Sequence, residues 1–168
     1  MEFKIGDKVI YPNHGLGIIE QIQTRPSGER EEEFLLLRIV SNDSTVMVPR
    51  SNTTDVGLRR VVSKKEIDLV YDVLKENKVE LYDDWKGRFQ ENSDKMRTGS
   101  ITEVARVFKS LSHLALQKNL SYREWRMLDK AKYLIVSELA EVERLPVDQV
   151  EAKIDRAVSR GIKQVRDR

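Results

Sequence analysis

The chain has 168 residues, enough for one medium domain or two small ones. Charged residues make up 35% and hydrophobic ones 39%, which is too apolar for a disordered chain, and the net charge of +2 is too small for a protein that holds DNA by phosphate neutralisation alone. There are no cysteines, which excludes disulfides, thiol nucleophiles and cysteine-ligated zinc and fits a reducing cytoplasm.

The N-terminus, "MEFKIGDKVIYP", lacks the apolar block of a signal peptide, and no run of about 18 apolar residues is present, so neither secretion nor a membrane span is expected. The first 60 or so residues read as β-structure: "KVIY" (8–11), "LGIIEQIQ" (16–23), "EFLLLRI" (33–39) and "STVMVP" (44–49), with "LRRVV" (58–62) able to close the sheet. Turn residues at 12–15, 26–29 and 41–44 separate them. Short strands joined by tight turns suggest a small antiparallel barrel of the SH3 or Tudor type. Gly15 and Gly17 read as backbone geometry rather than a phosphate loop, because no Gly-Lys-Ser/Thr ending follows.

From residue 63 the apolar period becomes helical. "SKKE" (63–66), "SITE" (100–103) and "SYRE" (121–124) each place Ser three residues before Glu, the spacing of a reciprocal capping box. Three stripes follow: Ile67, Val70, Tyr71 and Leu74; Ile101, Val104, Val107, Phe108 and Leu111; and Met127, Leu128, Ala131, Leu134, Ile135 and Leu139. Pro146 starts a last helix carrying Val147, Val150, Ile154, Ala157 and Val158. With a helix beginning near Asp84, this predicts about five. The fold class is therefore α+β in two domains, with a boundary near residues 55–63: a barrel over 1–60 and a compact all-α domain over 61–168.

Catalytic chemistry has little support. His14 and His113 have no histidine at metal-ligand spacing, G-x-S-x-G is absent, and no cofactor is indicated. Asp83 and Asp84 read as a helix cap and its dipole partner. An enzyme is not expected.

The two tryptophans carry the question of function. Trp125 lies about 100° from the centre of its stripe, the position of an edge-of-core residue with its indole N–H near water. Trp85 shares a helix face with Phe89 and Met96, which favours burial. It also stands in the first helical turn with Lys86 and Arg88 as neighbours, the composition of a stacking platform beside phosphates. Both readings are open on periodicity alone.

"FKIGDKVIYPNHGLGIIEQI" (3–22), "VGLRRVVS" (56–63), "W…RF…KM…TGS" across 85–100 and "LS..E..ML.KA..L...EL" across 120–139 together resemble the CarD/CdnL family of bacterial transcription regulators that bind RNA polymerase. The likeness covers nearly the whole chain and weakens after about Glu143.

The resemblance implies a Tudor-like N-terminal domain that docks on the polymerase β subunit through edge-strand pairing, as does the related module of the transcription-repair coupling factor. The implied polymerase-binding positions are Arg25, Met47 and Pro49, with Met47 unable to form the ion pair available to relatives that carry Arg there. It further implies that Trp85 enters the minor groove of promoter DNA at the upstream edge of the open bubble, largely without sequence preference, with Lys86 and Arg88 on phosphates. Gly87 and Gln90 stand where many relatives carry bases. The expected protein is a cytoplasmic monomer that stabilises the open complex. The alternative is a protein-only adapter in which the Trp85–Phe89–Met96 face is core or a helix-docking groove.

Overall fold

The computed structural model describes residues 2–79 and 84–166. Contacts divide the chain into two compact units, residues 1–61 and 62–168.

The first unit is a five-stranded antiparallel sheet: β1 (Lys8–Tyr11), β2 (Gly15–Ser27), β3 (Arg30–Ile39), β4 (Thr45–Pro49) and β5 (Arg59–Arg60), in the spatial order β4-β3-β2-β1-β5. β1 turns into β2 at Gly15, whose φ of +87° a side chain rarely tolerates. Alternation decides which face is buried: Val9, Ile19, Leu35, Leu37 and Val48 pack with Phe3 and Leu58 into one core. β2 and β3 are longer than the apolar pattern suggests. Beyond Gln21 they run on as a two-stranded arm through Gln23↔Phe34 and Arg25↔Glu32 to the turn after Ser27, and a register irregularity between Ile19 and Gln21 marks the base of the arm.

The second unit holds α1 (Lys64–Lys75), α2 (Trp85–Arg97), α3 (Ile101–Gln117), α4 (Tyr122–Glu143) and α5 (Val147–Arg166). The predicted stripes form one core, centred on Val70, Leu74, Val107, Leu111, Ile135, Leu139 and Ile154. Tyr71 and Met127 are only half-buried, and Val147 is exposed at the first position of α5. Of the three expected capping boxes, only Ser63–Glu66 is reciprocal. Ser100 and Ser121 cap through their hydroxyls, which accept from the Glu103 and Glu124 amides, while the two carboxylates turn to arginines. Among the described residues, no helix is long and apolar enough to cross a membrane.

Polar contacts from α4 and α3 secure the two ends of α1. The Glu138 carboxylate of α4 accepts the Val62 amide at 2.8 Å, one residue before the α1 cap. The Lys109 ammonium of α3 donates to the Val73 carbonyl at 2.9 Å and to the Glu76 carbonyl, closing the C-terminal end of α1 with a cation where the helix dipole favours one. Burial pushes the Lys109 ammonium below the usual lysine range, although Glu76 counteracts this. The same corner is closed by Gly161 of α5: a Cβ there would lie 2.3 Å from the Leu74 carbonyl oxygen and 2.9 Å from that of Glu76. Backbone on both sides leaves no inexpensive escape, so Gly161→Ala should destabilise the protein by about 1–3 kcal/mol, read as a lower urea midpoint at unchanged slope.

Candidate functional site

Each unit presents one candidate surface. On the sheet, residues directly opposite in the register share a face. Gln21↔Leu36↔Met47 and Gln23↔Phe34↔Pro49 form two rows across β2, β3 and β4, and Arg25↔Glu32 forms a third on the arm. Arg25, Met47 and Pro49 therefore lie on one face, opposite the core residues Leu35, Leu37 and Val48. Half-buried Phe34 and Leu36 sit between them, and Met47 is 38% exposed. Arg25 is held along the strand by bonds from its guanidinium to Gln23 Oε1 at 2.9 and 3.3 Å. β4 is an edge strand, with its outer side unpaired in the sheet. Pro49 at its end has no N–H to donate. Phe34 and Leu36 escaped the sequence reading because "EFLLLRI" is apolar on both faces, so alternation alone did not show which residues point out.

In the helical unit, Asp84 is the N-cap of α2, accepting the Gly87 amide at 2.7 Å; Asp83 lies outside the described residues. Trp85 is thus the first helical residue. It does share a face with Met96, yet Met96 is buried and Trp85, at the first position of the helix, is 37% exposed. The indole is oriented on two sides. One side stacks on Phe89, with ring centroids 5.3 Å apart and planes 12° from parallel. The Nε1–H donates to Ser121 Oγ, the N-cap of α4, at 3.3 Å. The guanidinium of Arg123 lies 5.4 Å from the Phe89 centroid.

Lys86 is exposed. Arg88 is not, and the expectation that it reaches phosphate must be corrected. It is 5% exposed, and its Nε donates to Glu124 Oε2 at 2.8 Å and its Nη2 to Glu124 Oε1 at 3.3 Å. Glu124 itself is 1% exposed and also accepts from the Ser121 hydroxyl at 3.2 Å. A helix position that carries a base points inward here because α4 supplies a buried carboxylate to meet it. The result is one continuous network, from the Trp85 indole through Ser121 and Glu124 to Arg88.

Burial pushes the Glu124 carboxyl up, but the hydrogen bond and charge of Arg88, with the bonds from Ser121, outweigh it and hold the group below the usual carboxylate range. The pair thus stabilises the fold above the unfolded carboxylate pKa, and that stability is lost as pH falls through the lower, folded value. Among the described residues, no group of three or more His, Cys, Asp or Glu could hold a metal ion. His113 is buried and bonded to Gln117 at 3.0 Å, and His14 packs against Tyr11.

A small antiparallel sheet unit followed by an all-α bundle makes this a two-domain α+β protein. The family description "CarD-like/TRCF RID domain" matches residues 3–62 and "CarD, C-terminal domain" matches residues 69–155. The chain is 31% identical over 150 residues to the Bacillus subtilis (strain 168) protein described as "Putative transcription factor YdeB", covering 89% of this chain and 98% of that one. A solution NMR structure of the 72-residue N-terminal domain of Myxococcus xanthus CarD matches at 27% identity, over 35% of this chain and 79% of that chain, with a TM-score of 0.31. The chain belongs to the CarD family.

Replacing Glu124 by Gln would strand the Arg88 charge in the interior. The expected loss is about 3–5 kcal/mol, measured by chemical denaturation. In the unaltered protein the stability should fall on acidification, and Glu124→Gln should flatten that slope, which a urea titration at stepped pH would show.

Proposed function

We propose that the sheet unit anchors the protein on the RNA polymerase β subunit and that the helical unit then places Trp85, with Lys86 beside it, against promoter DNA at the upstream edge of the open bubble. Membership of the CarD family supports a transcription-related, polymerase-interacting role. The finer reading is carried by one observation: a large indole left 37% exposed at the tip of a helix while its orientation is fixed by Phe89 and Ser121. An exposed ring with a set direction is pre-organised for stacking, because little side-chain freedom remains to be lost on contact.

The small net charge fits this division of labour. Docking through the outer face and open edge of β4 supplies the affinity and raises the local concentration of the helical unit at the promoter. The indole then needs only the ~1–3 kcal/mol of base–aromatic stacking. A wedge between bases costs least where the duplex is already opening. Because about 1.4 kcal/mol changes an equilibrium tenfold, one ring that contacts only the open state can markedly slow bubble collapse. The burial of Arg88 leaves Lys86 as the remaining proposed phosphate contact next to the ring.

Trp85→Ala should fold and bind polymerase as the parent does, yet shorten the open-complex lifetime roughly tenfold or more. Competitor-challenge kinetics on a preformed open complex would read this, and an unchanged lifetime would remove the DNA half of the proposal. Arg25→Glu should abolish or strongly weaken binding to the isolated β subunit, because it reverses a charge on the docking face. Calorimetry returning the parent's affinity would remove the polymerase half.

A further inference from the structure

The Trp85 indole donates to Ser121, the cap of α4, and further exposed rings follow that cap. The first turns of that helix carry Tyr122, 75% exposed, and Trp125, 47% exposed and so more open than Trp85 itself. At about 100° per residue, Tyr122, Trp125 and Arg126 fall within one sector roughly 100° wide, away from buried Leu128, Ala131 and Ile135. Two of these rings have a guanidinium against them. Arg123 lies over Phe89, and the Arg126 guanidinium lies 5.8 Å from the Tyr122 centroid.

The chemistry of this surface selects its occupant. A docking site for an apolar helix would be depleted of charge at its centre. This one interleaves rings with guanidinium groups, whose remaining N–H groups suit phosphate oxygens. Rings open to solvent suit flat, unstacked bases. Phosphates and free base faces occur together on an unpaired nucleic-acid strand, whereas duplex DNA keeps its base faces stacked. The carboxylate of exposed Asp129, about one turn past Trp125, opposes phosphate and limits the surface to the first two turns.

We propose that Tyr122, Trp125 and Arg126 form a second stacking platform that holds an unpaired DNA strand beside Trp85. This rests on the assignment of the Trp85 surface to DNA, and it adds the class of DNA bound there: a separated strand in preference to duplex.

The full chain should be titrated at low salt into a labelled oligothymidine and, separately, into a duplex of equal length, with anisotropy as the readout. The strand should bind more tightly than the duplex. The double variant Tyr122→Ala/Trp125→Ala should lose strand affinity at least about tenfold while duplex binding stays unchanged. The variant Tyr122→Phe/Trp125→Phe, which keeps the rings, should bind like the parent. The chain has two tryptophans. In Trp85→Phe, therefore, Trp125 is the only indole, and its fluorescence should be quenched by the strand. Equal or tighter duplex binding, full strand affinity in the alanine double variant, or unquenched Trp125 would each overturn the platform. Those results can coexist with a shortened open-complex lifetime in Trp85→Ala, which would leave the Trp85 assignment standing. Loss of strand binding in the α4 variant alongside a normal lifetime in Trp85→Ala would instead support the platform and sink that assignment.

Discussion

Taking a guanidinium and a carboxylate out of water costs several kcal/mol per ion, and only close, well-oriented pairing offsets it. Arg88 and Glu124 meet that condition with two bonds between the same two groups. The pair matters because α2 has little else to bury. Its buried residues are Arg88, Asn92 and Met96, only one of them a hydrocarbon-like side chain. Non-directional apolar packing would leave such a helix free to roll or slide. A bidentate ion pair allows one register, and that register puts Trp85 opposite the α4 cap. The direction of the exposed indole thus follows from a charge pair at the next turn of its own helix.

The sheet unit solves a different problem with a simpler rule. One face of β2, β3 and β4 closes over the core, so the other must be wet or covered by a partner. The register collects Phe34, Leu36, Met47 and Pro49 into an apolar strip on that second face, with Arg25 and Glu32 at its arm end. An apolar strip with a charged end, next to an unpaired strand edge, is suited to recognition by main chain and side chain at once.

Much of this architecture was readable from the residues. β1 falls on 8–11, and the helices start at the capping serines Ser63, Ser100 and Ser121. These signals are local: alternation, cap chemistry and helical stripes. The arm of β2 and β3 was missed because Thr24, Arg25, Pro26 and the Glu31–Glu33 run carry no apolar signal; the two strands hold each other there by backbone bonds. Arg88 was misassigned for a related reason. Sequence shows that a base stands three residues after a tryptophan, but the carboxylate that draws it inward lies 36 residues away. The same blindness affected Trp125. Its angle on the helix placed it correctly at the margin of the core, but not how open that margin is.

The bond between the Glu138 carboxylate and the Val62 amide has a mechanical side. A force carried along the backbone into the bundle arrives at residue 62, where it meets a fully buried anchor on α4 before it reaches the first turn of α1. Load entering there is therefore shared between α4 and the first turn of α1 instead of falling on the end of α1 alone.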